Sequence, residues 1–289
     1  LQGSRLHSIR VSVDNQKQGK SMVSRAFCWI TILGLLLFSG CSSSGDGDSG
    51  PGPSSDACSV LGLNTRIING TACQENNSPV VRLAITLVGG SGGLCSGTLV
   101  TPTKVVTAAH CFFEDVAQVR VEVGGETSIA SEIQLHPDVS IDLVTQAVNN
   151  DVAIVTLTQP LNNQATLPLI LSADVDSGNI ISIYGYGLDQ SGQVGILQSG
   201  QMRVSSVSPN HIFANFDGEG SNTCSGDSGG PAVLQLIRES GQLVTGIVGL
   251  TSSGSLITCE AGDLSLFTNL QGSEVVDFLT DNIADLRVE

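Results

Sequence analysis

Residues Thr223 to Pro231 read Thr-Cys-Ser-Gly-Asp-Ser-Gly-Gly-Pro, and no other stretch limits the fold of this chain so narrowly. An aspartate precedes Ser228, glycines stand on both sides of it, and a largely apolar run follows from Ala232 to Ile237. A serine hydroxyl is a poor nucleophile until a neighbouring base takes its proton, and the anion formed on attack needs backbone N–H donors. Glycine lets the backbone approach a reacting carbonyl and turn its amides inward, where side chains would obstruct. A Gly/Ser-rich turn between strands has the same composition. The reading of Ser228 as a nucleophile therefore depends on finding a base and an orienting acid elsewhere.

Both residue types are present, in order. Thr107-Ala108-Ala109-His110-Cys111 closes the apolar pair Val105-Val106, and Asn150-Asp151 immediately precedes the apolar run Val152 to Val155. A histidine accepts the serine proton, and a buried carboxylate holds its imidazole in the right tautomer and stabilises the charged form. Together the three stretches resemble the trypsin- and chymotrypsin-like serine proteases, whose chain order is His, Asp, Ser. The resemblance runs from Ile67 to the C-terminus and implies an all-β domain over residues 67–289. Its two antiparallel six-stranded barrels would hold the active site between them, with a helix at the C-terminus. It also implies a serine endopeptidase without a cofactor, acting on proteins or peptides. Ser228 would attack, His110 would serve as base, Asp151 would orient it, and the N–H groups of Gly226 and Ser228 would receive the oxyanion. A non-catalytic binding module on the same fold is the alternative. The intact His110, Asp151 and Ser228 favour the enzyme, because such residues act as a unit.

Patterning agrees with a β fold. Short apolar runs at 80–88, 97–100, 104–107, 119–123 and 153–157 form one set of predicted strands. Runs at 179–184, 201–205, 232–237, 243–250 and 264–268 form a second, after a Pro/Asn-containing crossover from Pro160 to Pro168. From Ser273 to Leu286, Val275, Val276, Leu279, Ile283 and Leu286 share one helical face, with Ser273 as the predicted cap. The net charge of −15 disfavours binding to nucleic acid phosphates or anionic lipid heads. The histidines are scattered and no Cys-x-x-Cys occurs, so no metal site is expected.

The N-terminal part reads differently. Residues 1–21 are polar and patternless, which suggests translation from Met22. Arg25 precedes an apolar run, Ala26 to Phe38, with the length of a signal-peptide core, so residues 22–40 are read as a signal peptide. It ends Phe38-Ser39-Gly40-Cys41, which looks like a bacterial lipoprotein signal with Cys41 as the lipidated residue, although Phe38 stands where leucine is usual. On that reading the protein sits in the bacterial envelope, meeting a membrane only through its lipid anchor. Ordinary secretion with unmodified Cys41 is the alternative. Residues 41–57 are a flexible tether, since Ser42 to Asp56 offers nothing apolar to bury. Residues 58–66 form an activation segment by resemblance. Cleavage after Arg66 by another protease would free the Ile67 amine to enter the interior and pair with Asp227.

Setting aside Cys28 and Cys41 leaves six cysteines, which allow 15 pairings. The resemblance implies Cys95–Cys111 beside the histidine and Cys224–Cys259 around the specificity pocket. That leaves Cys58 and Cys73, either bonded to each other or free. The family's pocket floor falls on Asn222, an uncharged residue. Its Ser-Trp-Gly wall is read as Gly249-Leu250-Thr251, so that Thr251 narrows the pocket and Gly249 lacks a serine hydroxyl that supports the aspartate. Ser265 is assigned to another wall position. A small uncharged side chain is the expected preference.

Overall fold

The computed structural model describes residues 57–61, 72–218 and 220–289. Cys41, Arg66 and Ile67, with the signal and tether segments, lie outside the described residues. Residues 51–289 form one compact unit.

Two closed barrels dominate it. The first uses β1 (Val80–Leu87), β2 (Gly92–Thr101), β3 (Lys104–Thr107), β4 (Val116–Val123), β5 (Glu126–Leu135) and β8 (Ala153–Leu157), in the order β1-β2-β3-β8-β5-β4. A two-stranded ribbon of β6 (Ser140–Ile141) and β7 (Val148–Asn149) interrupts the run before Asp151. The second barrel uses β9 (Ile180–Gly185), β10 (Gln198–Val207), β11 (His211–Asn215), β12 (Pro231–Ile237), β13 (Leu243–Gly254) and β14 (Leu264–Asn269), in the order β10-β11-β14-β13-β12-β9. All neighbouring strands within the barrels are antiparallel, and closure removes the free edges that an open sheet exposes.

Strand alternation fills each interior. In β4, Val119, Val121 and Val123 point inward and pack with Leu83, Leu99, Val105 and Val155. In the second barrel, Ile181, Ile183, Val204, Ile212, Leu234, Val248 and Phe267 do the same. A third cluster joins residues of both barrels: Val106 and Ile154 from the first, Tyr184, Val233 and Ile247 from the second, and Val275, Phe278 and Leu279 from the C-terminal helix α2 (Ser273–Asn282). Full burial of one such aliphatic side chain contributes ~1.5–3 kcal/mol, so this cluster fixes the barrels against each other.

Two strands escape the sequence pattern, one per barrel. In β5, Thr127, Ser131, Glu132 and Gln134 interleave with small or half-buried residues, so apolar alternation is weak. β11 is only five residues long and opens on the buried His211, whose Nε2 is bonded to the Val148 carbonyl at 2.9 Å. The helix also differs from expectation. Ser273 is its first residue, not its cap. Gly272 is the cap and makes no side-chain bond. The helix stops at Asn282, although Ile283 beyond it is buried in the same cluster.

Cys58 and Cys73 are bonded, as are Cys95 with Cys111 and Cys224 with Cys259. The short helix α1 (Ala57–Val60) packs on β9 and β10, with Cys58 and Val60 buried in the joining cluster.

Candidate active site

His110 sits in a single 3-10 turn, Ala109–Phe112, that ends the run from β3, and Cys95–Cys111 ties this turn to β2. Asp151 follows Asn150, whose positive φ of 50° turns the chain just ahead of β8. The Asn150 side chain is held by Glu274 of α2, Nδ2 to Oε2 at 2.9 Å, so the helix helps to place the aspartate. Asp151 is fully buried, and its carboxylate accepts three hydrogen bonds. The His110 main-chain N–H reaches Oδ1 at 2.8 Å, while His110 Nδ1 and Ser252 Oγ reach Oδ2 at 2.7 and 2.6 Å. Thr268 Oγ1 donates to the Asp151 main-chain carbonyl. Because a carboxylate only accepts, Nδ1 carries the imidazole proton and Nε2 is left as the acceptor.

Ser228 lies on the turn between Cys224 and β12. Its carbonyl accepts from Ser96 N–H of the first barrel at 2.8 Å. Gly226 and Gly229 have φ of 98° and 79°, a region closed to most side chains. A Cβ on Gly229 would stand 2.0 Å from Thr107 Oγ1 and 2.7 Å from the Ala108 nitrogen, so the nucleophile turn presses against the chain leading to His110.

Asp227 turns away from Ser228. Its Oδ1 accepts from Gly187 N–H at 2.8 Å and its Oδ2 from Cys224 N–H at 2.9 Å. Burial pushes its carboxyl up to about 6, against the opposing pull of these two amides. Side chains at Gly185 or Gly187 would collide with it, at 2.1 Å from Oδ1 and 2.5 Å from Cγ. Gly185 also lines a cavity of about 550 Å³ together with Leu188, Asn222 and Cys224.

A smaller cavity of about 200 Å³ adjoins Ser228, walled by Thr223–Ser225 on one side and Thr251–Gly254, Leu256 and Ile257 on the other. Thr251 lines it, whereas Asn222 and the fully buried Ser265 lie outside its lining. Ser265 Oγ donates to Asn222 Oδ1 at 2.7 Å, and Asn222 Nδ2 donates to Asp263 Oδ2 at 2.8 Å. Asp263 is 2% exposed, and its other oxygen accepts from Ser255 Oγ and Leu256 N–H. Among the described residues, no three His, Cys, Asp or Glu side chains converge as metal ligands would.

With this geometry in hand, the sequence profile of the trypsin family matches residues 67–277. The chain belongs to the trypsin family. Among its relatives, Serine protease 1 of Drosophila melanogaster is 30% identical over 250 residues, covering 77% of this chain and 88% of that protein. Granzyme M of Homo sapiens is 29% identical over 192 residues, 58% and 74% of the two chains. Anionic trypsin of Bos taurus is 30% identical over 190 residues, 57% and 73%. The solved structure of HL collagenase shares the fold, with a TM-score of 0.59 at 22% identity, and covers 75% of this chain and 99% of its own.

The trypsin-family reading of one pocket wall needs correction. The hydroxyl supporting Asp151 is present, and it comes from Ser252. The Ser-Trp-Gly wall therefore corresponds to Ser252-Ser253-Gly254, three residues beyond the expected Gly249-Leu250-Thr251, with Ser253 in place of the tryptophan. Ser252 reaches Asp151 from a bulge. β13 pairs Thr251 with Phe267 and Ser253 with Leu266 of β14, which leaves Ser252 as the extra residue and re-aims its side chain toward Asp151. Period-two reading of the sequence carries no mark of such an insertion. Asp263 was also missed, since a lone aspartate after Gly262 reads as a turn residue until the fold brings it to Asn222.

Proposed function

We propose that this trypsin-family chain is a serine endopeptidase working through an acyl-enzyme. The observation that carries the reading is the buried Asp151, which grips both the ring and the main chain of His110 and leaves Nε2 as the ring's acceptor. Ser228 Oγ attacks the scissile carbonyl carbon and its proton passes to Nε2. The oxyanion is received by the N–H groups of Gly226 and Ser228. His110 then delivers the proton to the leaving amine as the C–N bond breaks, and water repeats the sequence on the ester. The bond network at Asp263 supports cleavage after a small uncharged residue. Asp263 is buried, lines neither cavity and is bonded to Asn222, Ser255 and Leu256, so a lysine or arginine side chain beside Ser228 would meet no exposed carboxylate to offset its desolvation. A peptide library cleaved mainly after Arg or Lys would overturn that preference.

The same reading makes the chain a zymogen cut by another protease between Arg66 and Ile67. The raised carboxyl of Asp227, cradled by two glycines beside a 550 Å³ cavity, suits a buried ammonium partner. The leader ending at Cys41 is the support for a lipid anchor in a bacterial envelope. A fluorophosphonate probe should label the processed protein at Ser228. The Ser228→Ala variant should fold, escape labelling and lose turnover by several orders of magnitude. Undiminished peptide cleavage by Ser228→Ala would sink the assignment.

A further inference from the structure

The two amides proposed to receive the oxyanion are the outer two of three successive peptide units, and each unit is tied by its carbonyl. Ser225 O accepts from Leu188 N–H at 2.9 Å and Asp227 O from Gly230 N–H at 2.8 Å. In a trans peptide the N–H points opposite to the carbonyl, so these two bonds direct the amides of Gly226 and Ser228 away from their anchors. The middle unit sets the angle between them. Its carbonyl, Gly226 O, accepts from Ser96 Oγ at 2.9 Å. Of these three carbonyl anchors two are backbone amides and the middle one is a side chain, contributed by the opposite barrel; the middle unit's own N–H, that of Asp227, donates to the Cys224 carbonyl at 3.0 Å.

Ser96 is 0% exposed and uses every group it has. Tyr186 N–H can only donate, and it lies 2.9 Å from Ser96 Oγ, so the hydroxyl accepts there and spends its one proton on Gly226 O. Its main-chain N–H holds Ser228 O, and its carbonyl takes the Thr107 hydroxyl at 2.7 Å. Gly226, at φ 98° and without a Cβ, has little intrinsic stiffness to keep the middle unit in place.

We propose that Ser96 is a positioning residue for the oxyanion site, its hydroxyl fixing the peptide between Gly226 and Asp227 so that both flanking amides converge. The inference rests on the peptidase reading above. Its test compares Ser96→Ala with Thr107→Val, which removes a bond to the same residue without touching Gly226. Ser96→Ala should lower kcat about ten-fold, a fraction of the hundred-fold or more that follows loss of an oxyanion donor itself. KM should stay within about two-fold. Affinity for a peptide boronate, whose serine adduct places an oxygen in the oxyanion site, should fall in parallel with kcat. Affinity for a product peptide should not change. Thr107→Val should lower thermal stability without that split. Ser96→Gly gives the same reading if Ser96→Ala does not fold. Full kcat and boronate affinity in a hydroxyl-less variant overturns the proposal, as does equal loss of boronate and product binding. A processed wild-type protein that fluorophosphonate fails to label overturns the peptidase reading and this one with it.

Discussion

The two barrels bring different chemistry to one cleft. The first offers side chains: a histidine from a 3-10 turn and an aspartate from a strand entry, locked to each other by paired bonds. The second offers main chain. Besides Ser228 and the Ser252 and Thr268 hydroxyls that support Asp151, its contribution in the proposed mechanism is the direction of amides at Gly226 and Ser228, which two positive-φ glycines allow. Side-chain chemistry fails when a functional group is removed, whereas main-chain chemistry fails when an atom is added. The contrast can be broken experimentally.

The largest effect is expected where an atom is added. A methyl group at Gly226 would meet Gly187 Cα at 3.0 Å and Leu94 Cδ2 at 3.3 Å, at a φ that alanine resists. Gly226→Ala should therefore rotate the amide and reduce kcat by about 10²–10³, the range for loss of one oxyanion donor. Steady-state kinetics beside a thermal melt will separate this from unfolding. Turnover within a few-fold of wild type would show that the second barrel does not work through this amide.

A smaller loss is expected on the side-chain half. Ser252→Ala takes one of three donors from the Asp151 carboxylate and leaves both His110 bonds in place. A hydrogen bond to a charged group is worth ~1.5–3 kcal/mol, so kcat/KM should fall by about ten- to a hundred-fold. An unchanged value would mean that His110 alone suffices to orient and charge-match Asp151. Gly249→Ser, the substitution that the sequence reading would choose as a repair, should bring no gain, because its Cβ would stand 3.1 Å from the Thr268 carbonyl oxygen and 3.2 Å from Phe267 Cβ while Ser252 already supplies the hydroxyl.

The same division explains what the sequence disclosed. The pairing of His110 with Asp151 was legible because both residues sit in short motifs with fixed neighbours. The barrels were legible wherever valine and isoleucine alternate, as in β4. β5 was hidden because its outward residues are polar and its inward ones half-buried. Ser252 and Ser96 were hidden for another reason. Each acts through a long-range bond, to Asp151 or Gly226, and serines in strands carry no pattern that reveals such a partner. The Ser252 bulge adds one residue to β13, which a strand-period argument cannot detect.

The smallest effect on turnover, and the sharpest on architecture, concerns the segment ahead of the domain. Cys58 and Val60 are buried against the second barrel, and Cys58 is bonded to Cys73, on the other side in sequence of the proposed cleavage point. A cut between Arg66 and Ile67 opens the chain within that 15-residue span but leaves the disulfide closing it. The piece before the cut should therefore stay attached, and with it any lipid carried at Cys41. After cleavage, a denaturing gel without reductant should show one species of undiminished mass; with reductant, it should show the domain freed of its leading segment. Cleaved protein should also partition into detergent if Cys41 is acylated, as the uncleaved form does, and a Cys58→Ala/Cys73→Ala chain should move to the aqueous phase once cut. Activity should appear on cleavage in both, because Ile67 and Asp227 lie on the domain side of the cut. A freed segment on the gel without reductant would show that activation doubles as release. Turnover lost in the double alanine variant would instead assign the docked segment a part in shaping the second barrel, and the division of labour between the barrels would have to include it.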